Sequence, residues 1–478
     1  MKTYFHSVTL DEEKCRGCTN CIKKCPTEAI RVRKGKARII NERCIDCGEC
    51  LRVCPYHAKK AITDSFDMLQ SFKYRIALPA PSFYGQFKSG FSRGDILKAL
   101  LKIGFDEVYE VARGAEIVTA ATKKLFETEK LKKPVISSAC PAVVRLIQVR
   151  FPSLIDNLLK LEAPMEVAAA ISRQKAAHTY NLPDNEIGVF FISPCAAKVT
   201  SVKAPLAKEK SHVDGVLSMQ DVFLKVIAVL EKDPKACALE QAGFEGIRWA
   251  SSGGESLALG NDRYLAVDGI HNVLTILESI ENDRLEEVDF VEVLACYGGC
   301  LGGPLTVENA FVAKTRLKKH IDRARKCDLS TAVPSHEELL WTLDIEHRPV
   351  MKLDDDLDKA LKKLEELETI NDKLPGLDCG ACGAPNCRAL AEDIVRGMAH
   401  GTDCVFVLRE KIRSLAAEMM ALEAKMPPVL DREKTSNTSK VGTGGDKSDD
   451  SGTGGNTGCT YPDAANKFAK RGNRSILR

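Results

Sequence analysis

The chain has 478 residues, 44% of them hydrophobic, and a formal net charge of +3, which allows two to four domains with a large core and does not favour nucleic acid as a partner. No run reaches the about 18 apolar residues that would make a membrane span, and the opening MKTYFHSVTLDEEK lacks the apolar stretch of a secretory signal. A cytoplasmic protein is therefore expected, and its 19 cysteines read as metal ligands rather than disulfides.

Residues 1–65 form a short, basic, Cys-rich segment. Cys15, Cys18, Cys21 and Cys25, followed by Pro26, fit C-x2-C-x2-C-x3-C-P, and Cys44, Cys47, Cys50 and Cys54, followed by Pro55, fit it again. This is the bacterial two-cluster ferredoxin run, in which the fourth Cys of each run ligates the other cluster. One [4Fe–4S] cluster is thus assigned to Cys15, Cys18, Cys21 and Cys54, the other to Cys44, Cys47, Cys50 and Cys25. A pair of zinc knuckles is the plainer alternative, but two copies with both prolines argue against it. The stretch RVRKGKAR, from Arg31 to Arg38, reads as an exposed hairpin able to dock an acidic redox partner.

Residues 74–325 alternate apolar runs with helical patterns: YRIAL, then FSRGDILKALLKIG, then FDEVYEVA. Such alternation predicts α/β layers around a mostly parallel sheet. Three further apolar runs, PVISSAC, GVFFISPC and DFVEVLACYGGC, lead into Cys140, Cys195, Cys296 and Cys300. Ligands of α/β folds bind beyond the carboxyl ends of the strands, so these thiols can converge although they are far apart in sequence. Four thiolates around one point suit an iron–sulfur cluster or a tetrahedral zinc.

A helical connector is expected over 352–375, where DDDLDKALKKLEEL opens with acids and carries Leu357, Leu361 and Leu364 at helical spacing. Within 376–426, Cys379, Cys382, Cys387 and Cys404 fit C-x2-C-x4-C-x16-C. The pattern resembles a small [4Fe–4S] domain of Rnf-type electron-transport subunits and corrinoid iron–sulfur proteins, with zinc as the bland alternative. The helix VFVLREKIRSLAAEMMALEAKM follows. Its Leu and Met stripe suggests packing, or more sharply a dimer seam, and Pro427 and Pro428 stop it. Residues 431–478, rich in Gly, Ser, Thr and charge, read as a disordered tail.

Residues 74–325 resemble the catalytic domain of the [FeFe]-hydrogenases. SSACPAVVRL looks like the first signature of that family, SPCAAK like the second and LACYGGCLGG like the third. The resemblance implies that Cys140, Cys195, Cys296 and Cys300 hold a [4Fe–4S] cube. It further implies that Cys300 bridges the cube to a di-iron unit and that Lys198 contacts a cyanide of that unit. The departures are as informative. The family's proton-relaying Cys before the first ligand is replaced by Ala139, its Met before Pro-Cys by Ser193, and its relay Glu after the Lys by Ser201. An upstream acidic relay falls near Lys123. Losing groups that relay protons costs roughly 10²–10⁴-fold in rate. This combination resembles the branches of the family assigned to sensing, which often append a PAS domain. None is evident here.

The expected architecture is an α/β hydrogenase-like core with an α+β two-cluster ferredoxin domain, a small C-terminal Fe–S domain with flanking helices, and a disordered tail. The expected function is an iron–sulfur redox protein that binds or slowly converts H₂, probes redox state or H₂, and hands electrons to a redox partner or signalling output protein. The alternative is a multi-cluster electron carrier or Fe–S scaffold without a di-iron unit, as in eukaryotic Narf-like relatives. Cys237 and Cys327 read as ordinary thiols, Cys459 lies in the expected disordered tail, and none of the nine histidines has metal spacing with the cysteines.

Overall fold

The computed structural model describes residues 5–128, 130–325 and 336–425. Cys327, Cys459, the proline stop and the 431–478 segment lie outside the described residues. No helix among the described residues is long and apolar enough to cross a membrane.

The N-terminal domain pairs β1 (Val8–Leu10) antiparallel with β4 (Lys59–Ala61), and β2 (Ile30–Arg33) with β3 (Lys36–Ile39) as a hairpin. Each Cys run ends in a one-turn helix, Asn20–Lys23 or Glu49–Arg52, that carries the third cysteine of the run. The core is small: Val8, Ile22, Ile30, Ala37 and Ala58 pack among the cysteines themselves. So little apolar surface stabilises a domain of this size only weakly, and the metal clusters are expected to supply the rest.

The α/β part holds two parallel sheets where the sequence pattern suggested one. The first has the order β6 (Glu107–Val108), β5 (Tyr74–Pro79), β8 (Ile187–Ser193), β9 (Gly215–Ser218). The second has the order β10 (Tyr264–Asp268), β11 (Phe290–Leu294), β7 (Val135–Ile136). All of β8 and β11 is buried, as expected of parallel strands covered on both faces. FDEVYEVA yields only two strand residues, because Val111 already opens the long helix Val111–Thr128. The helix Arg93–Lys102 starts where FSRGD places it, with Ser92 and Asp95 forming a reciprocal capping box.

Helix Leu357–Lys373 begins at Asp356, whose side chain accepts from Lys359 N at 3.0 Å. Its Leu357, Leu361 and Leu364 are exposed. Leu367 instead packs with Leu374, Leu390 and Cys404 in the C-terminal core. Helix Val405–Glu423 has no fully buried side chain: Val407 packs on the C-terminal core, while Leu408, Leu415, Met419, Met420 and Leu422 of its stripe are exposed. Residues 413–425 fall in a separate unit.

The basic hairpin is only in part the exposed surface expected of it: Lys34 and Arg38 are exposed, but Arg31 is buried. Arg31 and Arg33 both bond Asp393 Oδ2 of helix Cys387–Val395, at 2.7 and 2.6 Å. Val32 N donates to Gly383 O at 2.8 Å, Arg33 Nη1 donates to Cys382 O at 2.9 Å, and Arg43 pairs with Glu392. Gly383, at φ +80, lies so close to Val32 O that a Cβ would collide. The hairpin thus carries the C-terminal Cys segment. Asp393 is almost fully buried, and removing one partner of a buried ion pair costs about 3–5 kcal/mol. Asp393→Ala is therefore expected to loosen this segment, seen as faster proteolysis between residues 340 and 380. Unchanged cleavage would refute the docking role.

Candidate metal centres and the central cavity

Two pockets in the ferredoxin domain sort its cysteines. One is lined by Cys15, Cys18, Cys21 and Cys54, the other by Cys25, Cys44, Cys47 and Cys50. The fourth cysteine of each run, Cys25 or Cys54, crosses to the other run's site, and the two one-turn helices pack against each other. Burial pushes the Cys21 thiol up to about 11 and Cys50 up to about 12, with neighbouring thiols adding to the rise. Thiols so crowded and desolvated would keep their protons unless a cationic centre drew them off. The donor sets therefore fit iron–sulfur clusters.

One histidine lies near a cysteine in space though not in sequence: His6 Nδ1 is 2.9 Å from Asp46 Oδ2, and a His6, Asp46 and Cys44 ligand atom all fall within 4.8 Å of one another. Val8 N donates to Asp46 Oδ1 at 2.9 Å, which holds the segment that follows His6 beside Asp46.

In the C-terminal segment, Cys382 senses Cys379 and Cys404 as neighbouring charges. Cys387 opens its helix, and its N–H donates to Asp378 Oδ1 at 2.7 Å. Cys404 is buried and Cys379 exposed, so this candidate centre has one face at the surface.

The central cysteines stand where β7, β8 and β11 end, at the junction of the two sheets. Cys140 caps helix Pro141–Arg150 and Cys195 caps helix Ala196–Lys203, positions where the helix macrodipole favours a thiolate. Burial pushes Cys195 up to about 12, against the pull of Lys198, and raises Cys296 and Cys300 as well. Lys198 sits among all of these thiols. Burial lowers its ammonium, but Cys300, Cys195, Cys140 and Cys296 more than offset that and hold it above the ordinary lysine value. Its Nζ donates to Ala139 O at 3.1 Å.

Beside Cys300 lies a small cavity of about 50 Å³, with Lys198, Ala139, Glu255 and Glu292 on its wall and Met165, Phe191 and Trp249 around it. Ser193, where the family has Met, does not line it. Its hydroxyl folds back, donating to Cys195 O at 2.9 Å. Ser201 donates to Lys198 O at 2.9 Å and faces a second cavity that shares Met165 and Lys198 with the first. Lys123 is exposed on helix Val111–Thr128 and lines neither cavity, which removes it from any relay. Cys237 is exposed and also lines neither.

The carboxylates at the cavity were not anticipated. Glu255 accepts from Ser137 Oγ at 2.6 Å. Burial, reinforced by Glu292, pushes Glu255 up to about 8. Glu292 accepts from Gly253 N, Ser256 N and Ser256 Oγ at 2.9–3.0 Å. The signal for Glu292 was present in DFVEVLAC, since a lone charge inside a core strand is rarely structural filler. Glu255 lies in the segment SSGGESLALG, where nothing in the pattern marks it.

A parallel α/β core that gathers cysteines from three strand ends beside a cavity, with a two-cluster ferredoxin domain docked on it, defines an iron–sulfur redox protein. The comparisons with known proteins agree. Residues 73–244 and 225–304 match the model "Iron only hydrogenase large subunit, C-terminal domain", residues 7–55 match "4Fe-4S dicluster domain", and residues 374–406 match an Fe-S cluster model. Residues 73–304 thus form an [FeFe]-hydrogenase-like domain. The chain is 23% identical over 304 residues to Iron hydrogenase 1 of Clostridium pasteurianum, covering 51% of this chain and 53% of the relative. It is 29% identical over 242 residues to the periplasmic [Fe] hydrogenase large subunit of Nitratidesulfovibrio vulgaris, covering 45% and 56%. It is also 23% identical over 292 residues to the probable cytosolic Fe-S cluster assembly factor oxy-4 of Caenorhabditis elegans, covering 48% and 62%. The chain thus spans about half the length of the curated relatives it matches.

Proposed function

We propose that Cys140, Cys195, Cys296 and Cys300 hold a [4Fe–4S] cube, that the adjoining cavity receives a di-iron unit through Cys300, and that the protein senses H₂ or redox state with low turnover. The observation that carries this reading is the Lys198 ammonium, set among the four thiols and turned to a cavity that Cys300 also lines. A cation there suits an anionic group seated in the cavity, and a cube alone would leave the space without purpose. When bound, the di-iron unit would supply the chemistry of H₂ cleavage and formation.

The chain's own residues then bind, orient and hold protons. Lys198 keeps one N–H on Ala139 O and lines the cavity. Burial raises both Glu255 and Glu292, and the Glu292 charge raises Glu255 further, to about 8, so the pair keeps a proton at neutrality. Glu255 holds it, and Ser137 orients the carboxyl. Ala139 offers no ionisable group at the place where the resembled family relays its proton, which supports slow conversion and a sensing role. The remaining cysteine sets would pass electrons to a redox or signalling partner.

The second reading, an electron carrier or Fe–S scaffold without the di-iron unit, is favoured by the likeness to the assembly factor oxy-4. Iron content separates the two: roughly eighteen per chain after maturation with the di-iron unit under the first reading, roughly sixteen under the second. Cys387→Ala is expected to lower either value by roughly four irons. An unchanged value would remove the C-terminal centre from the account.

A further inference from the structure

The one-turn helix that carries Cys50 ends on Arg52, whose side chain leaves the ferredoxin domain. Arg52 Nη1 donates to Gly302 O at 2.9 Å, and Nη2 donates to Glu49 Oε2 at 2.7 Å. Gly302 belongs to the short turn Gly299–Gly302 that contains Cys300. The guanidinium therefore lies between two ligand loops from different domains. Its ion pair with Glu49 is largely shielded from solvent.

The surrounding contact is close. Gly48, at φ +75, faces Pro304, and a Cβ on it would meet Pro304 Cγ at 2.5 Å. Cys47 packs against the same apolar cluster as Cys140 and Cys195. A bland reading makes Arg52 a clamp between domains. Yet a clamp needs only the bond to Gly302 O, whereas this side chain also places a permanent charge between the helix that carries Cys50 and the turn that carries Cys300.

We infer that Arg52 is a positioning residue for electron passage between the second ferredoxin site (Cys25, Cys44, Cys47, Cys50) and the central site. Its fixed positive charge stabilises the reduced form of both clusters, and its fork fixes their separation. One electron leaves one cube and enters the other, no bond forms or breaks, and the guanidinium keeps its proton throughout. The inference rests on the reading that both sites hold cubes.

The test uses the full-length protein, reconstituted anaerobically with iron and sulfide but without the di-iron unit, and EPR-monitored redox titration. In Arg52→Gln, two of the four cluster midpoints should fall and two should stay in place. Arg52→Lys, which keeps the charge but not the fork, should recover most of the fall. Glu49→Gln removes the negative neighbour and should move the same two midpoints upward, which decides the matter if Arg52→Gln fails to load iron. Midpoints that stay put in all variants, or that all shift together, overturn the inference. An unsubstituted protein holding fewer than roughly sixteen irons would instead overturn the reading of four cubes, so the two failures are distinguishable.

Discussion

Ala139→Cys is expected to raise H₂ turnover of the di-iron-matured protein by about 10²-fold or more, the scale of a positioned acid–base group. Ala139 lines the cavity beside Cys300, and its carbonyl already accepts from Lys198, so a thiol introduced there would face the space where H₂ chemistry is proposed. Its own acidity would be set by that lysine. The substitution adds one sulfur at a wall that has room for it. Turnover by gas chromatography with a low-potential dye reports the effect. An unchanged rate in protein with full iron content would show that proton supply at position 139 is not what limits this site.

Glu255→Gln should act in the opposite sense, lowering the residual turnover by about 10²-fold. Glu255 is pushed up to about 8 by burial and by Glu292, so at neutral pH it carries a proton. H₂ formation, which consumes an acid, should decline as pH rises through about 8, and H₂ oxidation, which needs a base, should gain. Glu255→Gln should flatten both limbs. Linkage gives a second readout. The folded protein keeps a proton that an unfolded glutamate releases, so stability is greatest below the ordinary value of 4.5 and falls as pH rises toward about 8. Glu255→Gln should remove that fall. A pH–stability curve identical in the variant would mean that Glu255 ionises normally and cannot serve as the local proton store.

The ferredoxin runs and the strand-end cysteines were legible because their chemistry demands fixed spacings, and the pockets gather the same residues that the spacings paired. The helices from Arg93 and Leu357 were legible from the pattern of FSRGDILKALLKIG and from the leading acids and leucine spacing of DDDLDKALKKLEEL, and the structure caps them with Ser92 and Asp356. What escaped depended on contacts distant in sequence. Arg31 and Arg33 read as surface charge until Asp393, 360 or more residues on, closed over them. Glu255 and Glu292 come from a helix and a strand that only the second sheet brings together. Lys123 was misplaced because helical periodicity, not signature spacing, decides which side of Val111–Thr128 meets the cavity, and Thr119 and Thr122 are the buried positions nearby. The single expected sheet became two because β7 and β10 pair with β11 rather than with β8.

The central claim is that the cavity beside Cys300 and Lys198 receives a di-iron unit. Infrared spectroscopy of the purified protein, matured with that unit and freed of excess by gel filtration, tests it most directly. The account predicts sharp bands of metal-bound carbon monoxide and cyanide that remain with the protein and weaken in Cys300→Ala. Their absence from protein that carries its full set of cubes would contradict the account and leave the carrier or scaffold reading in its place.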